Sequence, residues 1–351
     1  MKPTVPTVPL AVWKDLHSAA QKFHALRPWE MLDDTDLIAV HDASTGETGY
    51  GVVMGSGGTL FGFCLYRGAE GFHMYQRLLY GSLDIEEDDF FAVQNCLKIE
   101  LGPRSDLQPE DHSVIRRLSL RYKGKHAWPE FRSLLPGYAP WFLTEAEARF
   151  LTLGLNIACH HHDRINSSDI YDSIRDGECF VYVPVDDART TFAAQWEAWP
   201  THDSQPQKPP VLNLSRINAL RAKKTEPDTP WETDVFYLPS PVFDYERPYY
   251  VRVTVICQHS SGFIYQAEPA PPESSVHQLL ADAICSSVET HGLIPESIFV
   301  KNADAANALT PLAKALGITI RRKKKLSAIR MLKEAMMDSL VYGHGGGRKR
   351  K

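Results

Sequence analysis

Between Arg247 and Arg322 the hydrophobic period switches between two and 3.6, and this alternation constrains the fold more than any other feature. YYVRVTVIC alternates, with Val251, Val253 and Val255 on one face and Arg252, Thr254 and Ile256 on the other, which predicts a half-buried strand. QHSSG supplies turn chemistry and GFIYQAE the hairpin partner. Val276, Leu279, Leu280, Ala283, Ile284 and Val288 then fall on one helical stripe, with Gly292 where a C-terminal glycine is expected. ESIFV reads as a strand, ADAANALTPLAKALG as helix and GITIRR as a last strand. Pro311 cannot donate a backbone hydrogen bond, so a break near Leu309 is expected, with Thr310 capping a new helix. A helix between two strands implies a crossover and a parallel pair.

The order hairpin, helix, strand, helix, strand resembles the ribonuclease H-like fold of nucleases, transposases and integrases. That resemblance implies one metal-binding Asp on the first strand and another at the end of the strand after the first helix, where paired cations drive phosphoryl transfer. Placed on this sequence, the first position falls at Cys257 or Gln258 and the second at Lys301 or Asn302. None is a carboxylate. Asp304 is expected to cap the following helix, and Glu334 and Asp338 lack partners with which to share a metal. The pattern therefore points to the fold without the nuclease site.

At 351 residues the chain has room for two domains. The expected division is an α+β domain over 1–200 with an antiparallel meander, a linker with a short helix over 201–230, a ribonuclease H-like α/β domain over 231–342, and a flexible basic tail over 343–351. No stretch approaches a membrane span, and the Pro-rich start lacks the apolar core of a signal peptide. Six cysteines never fall as C-x-x-C, which predicts buried, reduced thiols and a cytoplasmic protein. Net charge is −5, yet residues 321–351 carry eleven Lys or Arg against two acids, 11 − 2 = +9, leaving −14 on the rest.

In the first part, residues 11–26 predict an amphipathic helix buried through Val12, Leu16, Ala19, Ala20 and Phe23. DLIAVHD, GYGVVMG and TLFGFCLYRG predict a three-stranded meander with glycines at its corners, and GFHMYQRLL a short helix. CLKIELG is a strand, PEDHSVIRRLSL a helix, and HAWPEFRSLLPGYAPWF a loop. Thr144 and Glu147 match the capping box of a long helix. ECFVYVPV and TTFAAQWEAW close a small, mostly antiparallel sheet. At the other end, LSAIRMLKEAMMDSL predicts a helix facing inward through Leu326, Ile329, Leu332, Met336 and Leu340.

Several stretches, among them PWEMLDDTDLIAVHDASTGETGYGVVMG, WPEFRSLLPGYAPWFLTEAEARFL and DVFYLPSPVFDYERPYYVRVTVICQHSSG, resemble a bacterial family of paired domains of unknown function. The resemblance implies two domains and no particular activity. In that family an Asp often precedes the Ser-Gly turn, where this chain has Cys257 and Gln258.

The remaining motifs favour structural readings. Gly55-Ser56-Gly57-Gly58 lacks the Lys-Ser/Thr of a P-loop and reads as a hairpin turn. His160, His161 and His162 project about 100° apart on a helix, so they cannot converge on one ion; a solvated helix end is expected. Asp33, Asp34, Asp36 and the run Glu86–Asp89 read as solvated. Trp29, Trp128 and Trp141 are expected in a core joining sheet and long helix. No hydrolase, metalloprotease, P-loop or dinucleotide motif is present, so no catalytic set, cofactor or metal is assigned.

The basic clusters Arg321, Arg322, Lys323, Lys324, Lys325 and Arg348, Lys349, Arg350, Lys351 are the candidate binding residues, for nucleic acid or an acidic protein surface. Three function classes stay open. These are a non-enzymatic binding or regulatory protein with a degenerate ribonuclease H-like domain, a nucleic-acid-binding protein using the basic clusters, and a hydrolase with an inter-domain site.

Overall fold

The computed structural model describes residues 3–80, 93–167, 177–186, 189–201, 209–222 and 226–343. The chain divides into two compact units that meet in sequence at 202/203. Glu86–Asp89, residues 202–208 of the linker stretch and the tail bearing Arg348, Lys349, Arg350 and Lys351 lie outside the described residues.

In the first unit, helix α1 (Leu10–Leu26) buries the predicted stripe plus His17 and ends at Arg27, whose left-handed φ of 52° turns the chain into Pro28. Strands β1 (Ile38–Asp42), β2 (Glu47–Met54) and β3 (Phe61–Arg67) form the meander, and Gly55–Gly58 is its second turn. Helix α2 (Gly68–Leu79) follows, then β4 (Cys96–Gly102), α3 (Pro109–Arg117), β5 (Trp128–Leu134), α4 (Glu145–Ser167), β6 (Glu178–Pro184) and β7 (Phe192–Ala198). The sheet is larger than expected, seven strands in the order β5-β4-β3-β2-β1-β6-β7, and mixed, because β1 and β6 are parallel. Helices α1 and α4 cover one face through Leu16, Phe23, Leu151 and Leu155, and α2 covers part of the other through Phe72 and Tyr75.

Three expectations change here. The Trp- and Pro-rich stretch is not all loop, since Trp128–Leu134 is the edge strand β5 paired to β4. An edge strand tolerates Pro129 because its open side needs no donor. Of the three tryptophans, only Trp29 is in the core, against Phe23 and Phe61. Trp128 and Trp141 are half-buried at the margin, the latter donating from Nε1 to Thr4 O at 3.1 Å. Finally, the His160–His162 run is not a solvated helix end. His161 and His162 are buried, His161 Nδ1 lies 2.7 Å from Tyr182 Oη, and His160 packs edge-on to the Tyr182 ring. Burial pulls the His161 imidazole down to about 4.

The capping box forms as read. Thr144 N donates to Glu147 Oε2 at 2.8 Å and Glu147 N to Thr144 Oγ1 at 3.3 Å. Glu147 does more than cap. Its Oε1 accepts from Arg67 Nη1 at 3.0 Å and Ser133 Oγ at 2.6 Å, tying α4 to β3 and β5. Burial alone would raise its carboxyl, but these donors outweigh it and hold the group below the usual range. Ionised Glu147 therefore stabilises the fold above the ordinary glutamate range, and that contribution is lost as pH falls through its depressed folded value. Thr144→Ala should cost about 1 kcal/mol in urea unfolding at neutral pH; no change would remove the cap from the account.

In the second unit, α5 (Leu214–Ala222) packs Ile217 and Leu220 into the core, and β8 (Glu226–Asp228) pairs with β12 (Leu293–Pro295). The main sheet holds β9 (Trp231–Val242), β10 (Tyr249–Gln258), β11 (Ile264–Ala270), β13 (Ser297–Val300) and β14 (Thr319–Arg322) in the order β11-β10-β9-β13-β14. The first three are antiparallel, and β13 is parallel to both β9 and β14. Helices α6 (Val276–His291) and α7 (Ala303–Leu316) contribute Leu280, Ile284, Leu309 and Leu312 to the core on one face. Helix α8 (Ser327–Gly343) covers the other, Ala328 and Ile329, with Leu326 just before the helix, meeting Phe236, Val253, Val255 and Phe299.

β10 is therefore buried on both faces instead of half-buried: Ile256 faces α6, and Val253 and Val255 face α8. α7 does not break at Leu309. It runs through Pro311 because Ala305, Ala308, Leu309, Leu312, Ala313 and Leu316 share one buried stripe that a break would rotate away. Pro311 and Asn307 sit on the exposed side, so the carbonyl that Pro311 leaves without a donor faces water. Asn302, not Asp304, caps this helix, accepting from Ala305 N at 2.7 Å.

Candidate functional site: the basic edge and the buried Glu232

Among the described residues β14 pairs only with β13 and is an edge of the sheet. Arg321, Arg322, Lys324 and Lys325 are exposed there. Charges on an edge strand also block strand addition, which is their structural role whatever else they do. Lys323 differs from its neighbours. It is half-buried, with Nζ 3.6 Å from the Phe299 ring centroid and 3.2 Å from His259 Nε2. The predicted five-residue cluster thus supplies four solvated cations and one packed cation.

Lys323 leads inward to a carboxylate that sequence reasoning passed over. Trp231, Glu232 and Thr233 open β9, the central strand, and all three are buried. Glu232 lies in register with Cys257 on β10 and Phe299 on β13, and its side chain is wholly removed from solvent. Oε2 accepts from Ile329 N at 3.1 Å and Oε1 from Ser327 Oγ at 3.4 Å. Both donors belong to the first turn of α8, so Glu232 answers the free N–H groups and positive end of that helix. His259 Nδ1 also contacts Oε1. The tautomer that satisfies every contact carries its proton on Nδ1, donates to Glu232, and accepts from the Lys323 ammonium at Nε2. The His259 ring stands edge-on to Phe299 at 4.9 Å.

Beside this chain, Asp228 gathers the ends of three strands. Oδ2 accepts from Trp231 Nε1 at 2.7 Å and from the Tyr265 hydroxyl, and Oδ1 accepts from Thr229 N and Gln258 Nε2, each at 2.8 Å. Burial would raise the Asp228 carboxyl, but the donors hold it below the usual range; burial and Asp228 push Tyr265 up to about 12.

The sheet's first strand is β9, not β10. Cys257 and Gln258 therefore close the second strand of the sheet, and the first strand bears Glu232 and Asp234. Lys301 and Asn302 do follow β13. Glu334 is exposed and pairs with Arg330 at 3.8 Å. Among the described residues no three His, Cys, Asp or Glu side chains are grouped to hold a metal ion, and no helix is long and apolar enough to cross a membrane. An imidazole backed by a carboxylate resembles a general base, but here the Lys323 ammonium occupies the nitrogen that would take the proton.

No curated protein matches the chain. Among solved structures, the catalytic core domain of BIV integrase aligns at 16% identity over 34% of this chain and 74% of that chain, with a TM-score of 0.26, too low to carry an argument. Two family models take in most of the sequence: residues 13–182 match a domain of unknown function (DUF7309), and residues 216–337 match a second domain of unknown function (DUF6930).

Proposed function

We propose that the second unit is a ribonuclease H-like domain that binds nucleic acid without cutting it, through the basic edge beside β14. The division keeps a linker with a short helix over 201–230 and the domain over 231–342, with α5 adding Ile217 and Leu220 to the domain's core. Support for the fold is the strand order β11-β10-β9-β13-β14 with helices following β11 and β13. The observation that carries the functional reading is the state of Glu232. Of the two carboxylates on β9, Glu232 is buried and held by Ser327, Ile329 N and His259, while Arg321, Arg322, Lys324 and Lys325 remain in water within a few residues of Lys323. A carboxylate so enclosed has no open side for a cation, whereas four solvated cations suit phosphates. The acidic balance of the rest of the chain restricts such binding to this end. Six free, buried cysteines support a cytoplasmic setting.

End-labelled single-stranded DNA, duplex DNA and RNA incubated with the protein and Mg²⁺ or Mn²⁺ should be retarded on a native gel and remain intact. Metal-dependent cleavage that disappears in Asp234→Asn would overturn the proposal in favour of an active nuclease.

A further inference from the structure

The first unit contains a cavity of about 300 Å³ between the segment before α1, α1 itself, one side of α3, and strand β5. Its wall is mainly apolar: Val8, Phe131 and Phe142 are buried, and Trp13 is half-buried. Volumes near this size are the small end of ligand sites, which are apolar with a few convergent polar groups. The segment over the cavity is tied down where Trp141 Nε1 donates to Thr4 O at 3.1 Å.

One buried polar side chain lines this space. His17 is 3% exposed, and its Nδ1 lies 2.8 Å from the Tyr122 hydroxyl, which is not part of the lining. Nε2 has no hydrogen-bond partner among the described residues. Burial pulls the imidazole down to about 4 against the opposing field of Asp111, so the ring is neutral at neutral pH. Burial also raises Tyr122, which keeps its proton. A phenol is the better donor and an imidazole nitrogen the better acceptor, so Tyr122 donates to Nδ1 and leaves Nε2–H as a donor.

Of the charged side chains at the cavity, Asp111 is already paired. Asp111 accepts from Arg132 Nη1 at 3.0 Å and Nη2 at 2.7 Å. Glu110 and Arg117 are exposed and opposite in sign on α3. Nε2 is reachable by water from the cavity, and a ligand acceptor would take that water's place.

We propose that this cavity binds a small, uncharged, largely apolar molecule that accepts a hydrogen bond from His17 Nε2–H. The site is independent of the basic edge, so its fate does not depend on nucleic-acid binding.

The test is ligand-observed NMR on the full chain with four probes matched in size: benzamide, toluene, benzoate and benzamidinium. Benzamide should bind and the two ions should not. His17→Phe keeps a ring but removes the donor, and should weaken benzamide by about 3- to 10-fold while leaving toluene unchanged. Should that variant fail to fold, ¹⁵N spectra of the unaltered protein decide the matter. The His17 ring should carry its proton on Nε2, and benzamide should shift that resonance. Equal binding of benzoate or benzamidinium, no binding of benzamide, or a proton found on Nδ1 would overturn the proposal.

Discussion

Replacing Glu232 by Ala should loosen α8 from the sheet of the second unit at a cost of about 4 kcal/mol. The side chain is enclosed, and its loss strands the buried Ile329 N and leaves Ser327 Oγ and His259 Nδ1 without their acceptor. A buried donor left unsatisfied costs about 1–3 kcal/mol, and the first turn of α8 also loses the negative charge that suits its N-terminal dipole. Lys323 then loses the oriented imidazole that receives its ammonium. Glu232→Gln should be milder, about 2 kcal/mol, because an amide oxygen still accepts from α8 while its NH₂ opposes another donor. Two units can unfold separately, so the readout must be local. Hydrogen exchange over residues 327–336 should accelerate strongly in Glu232→Ala, with α1 and α4 unaffected. Unchanged protection in α8 would show that the carboxylate does not hold it.

Local chemistry made much of this fold legible. The α1 stripe is a single helical face, and Thr144 with Glu147 sit three residues apart, so each could be read without knowing what lies opposite. The hairpin and crossover after Arg247 follow the same logic. What could not be read depends on distant segments. WETDVFYL carries Glu232 and Asp234, which suggests a solvated edge, yet β9 is the central strand because α8, 95 and 97 residues away at Ser327 and Ile329, supplies donors to Glu232. The His160–His162 run is polar in composition, but Tyr182 and Phe192 from β6 and β7 cover it. Pro311 was read from its local cost, whereas the continuous buried stripe decided the helix. Lys323 sits among equals in sequence; only the position of Phe299 beneath it sets it apart. Glu232 and His259 carry no signal in the sequence, since their spacing means nothing until β9 and β10 are known to be antiparallel neighbours.

The second large effect belongs to the basic edge. Changing Arg321, Arg322, Lys324 and Lys325 to Ser removes four exposed cations and leaves the packed Lys323 in place. If each meets one phosphate, four fewer released counterions lower the slope of log affinity against log salt by about 3.6 on duplex DNA. Between about 50 and 200 mM salt, the unaltered protein should then lose roughly 100-fold more affinity than the variant. Fold should be indifferent to the change, since surface substitutions of this kind typically shift stability by less than about 0.5 kcal/mol. That separates the variant from Glu232→Ala, which acts on the sheet beneath.

Fluorescence polarisation of labelled single-stranded DNA, duplex DNA and RNA, titrated with the full chain and with this fourfold variant at two salt concentrations, tests the central claim most directly. The account predicts salt-sensitive binding by the unaltered protein and a flattened salt slope with weakened binding in the variant. Absence of binding at low salt, or binding that the four substitutions leave untouched, would contradict it and reduce β14 to a charged, protected edge.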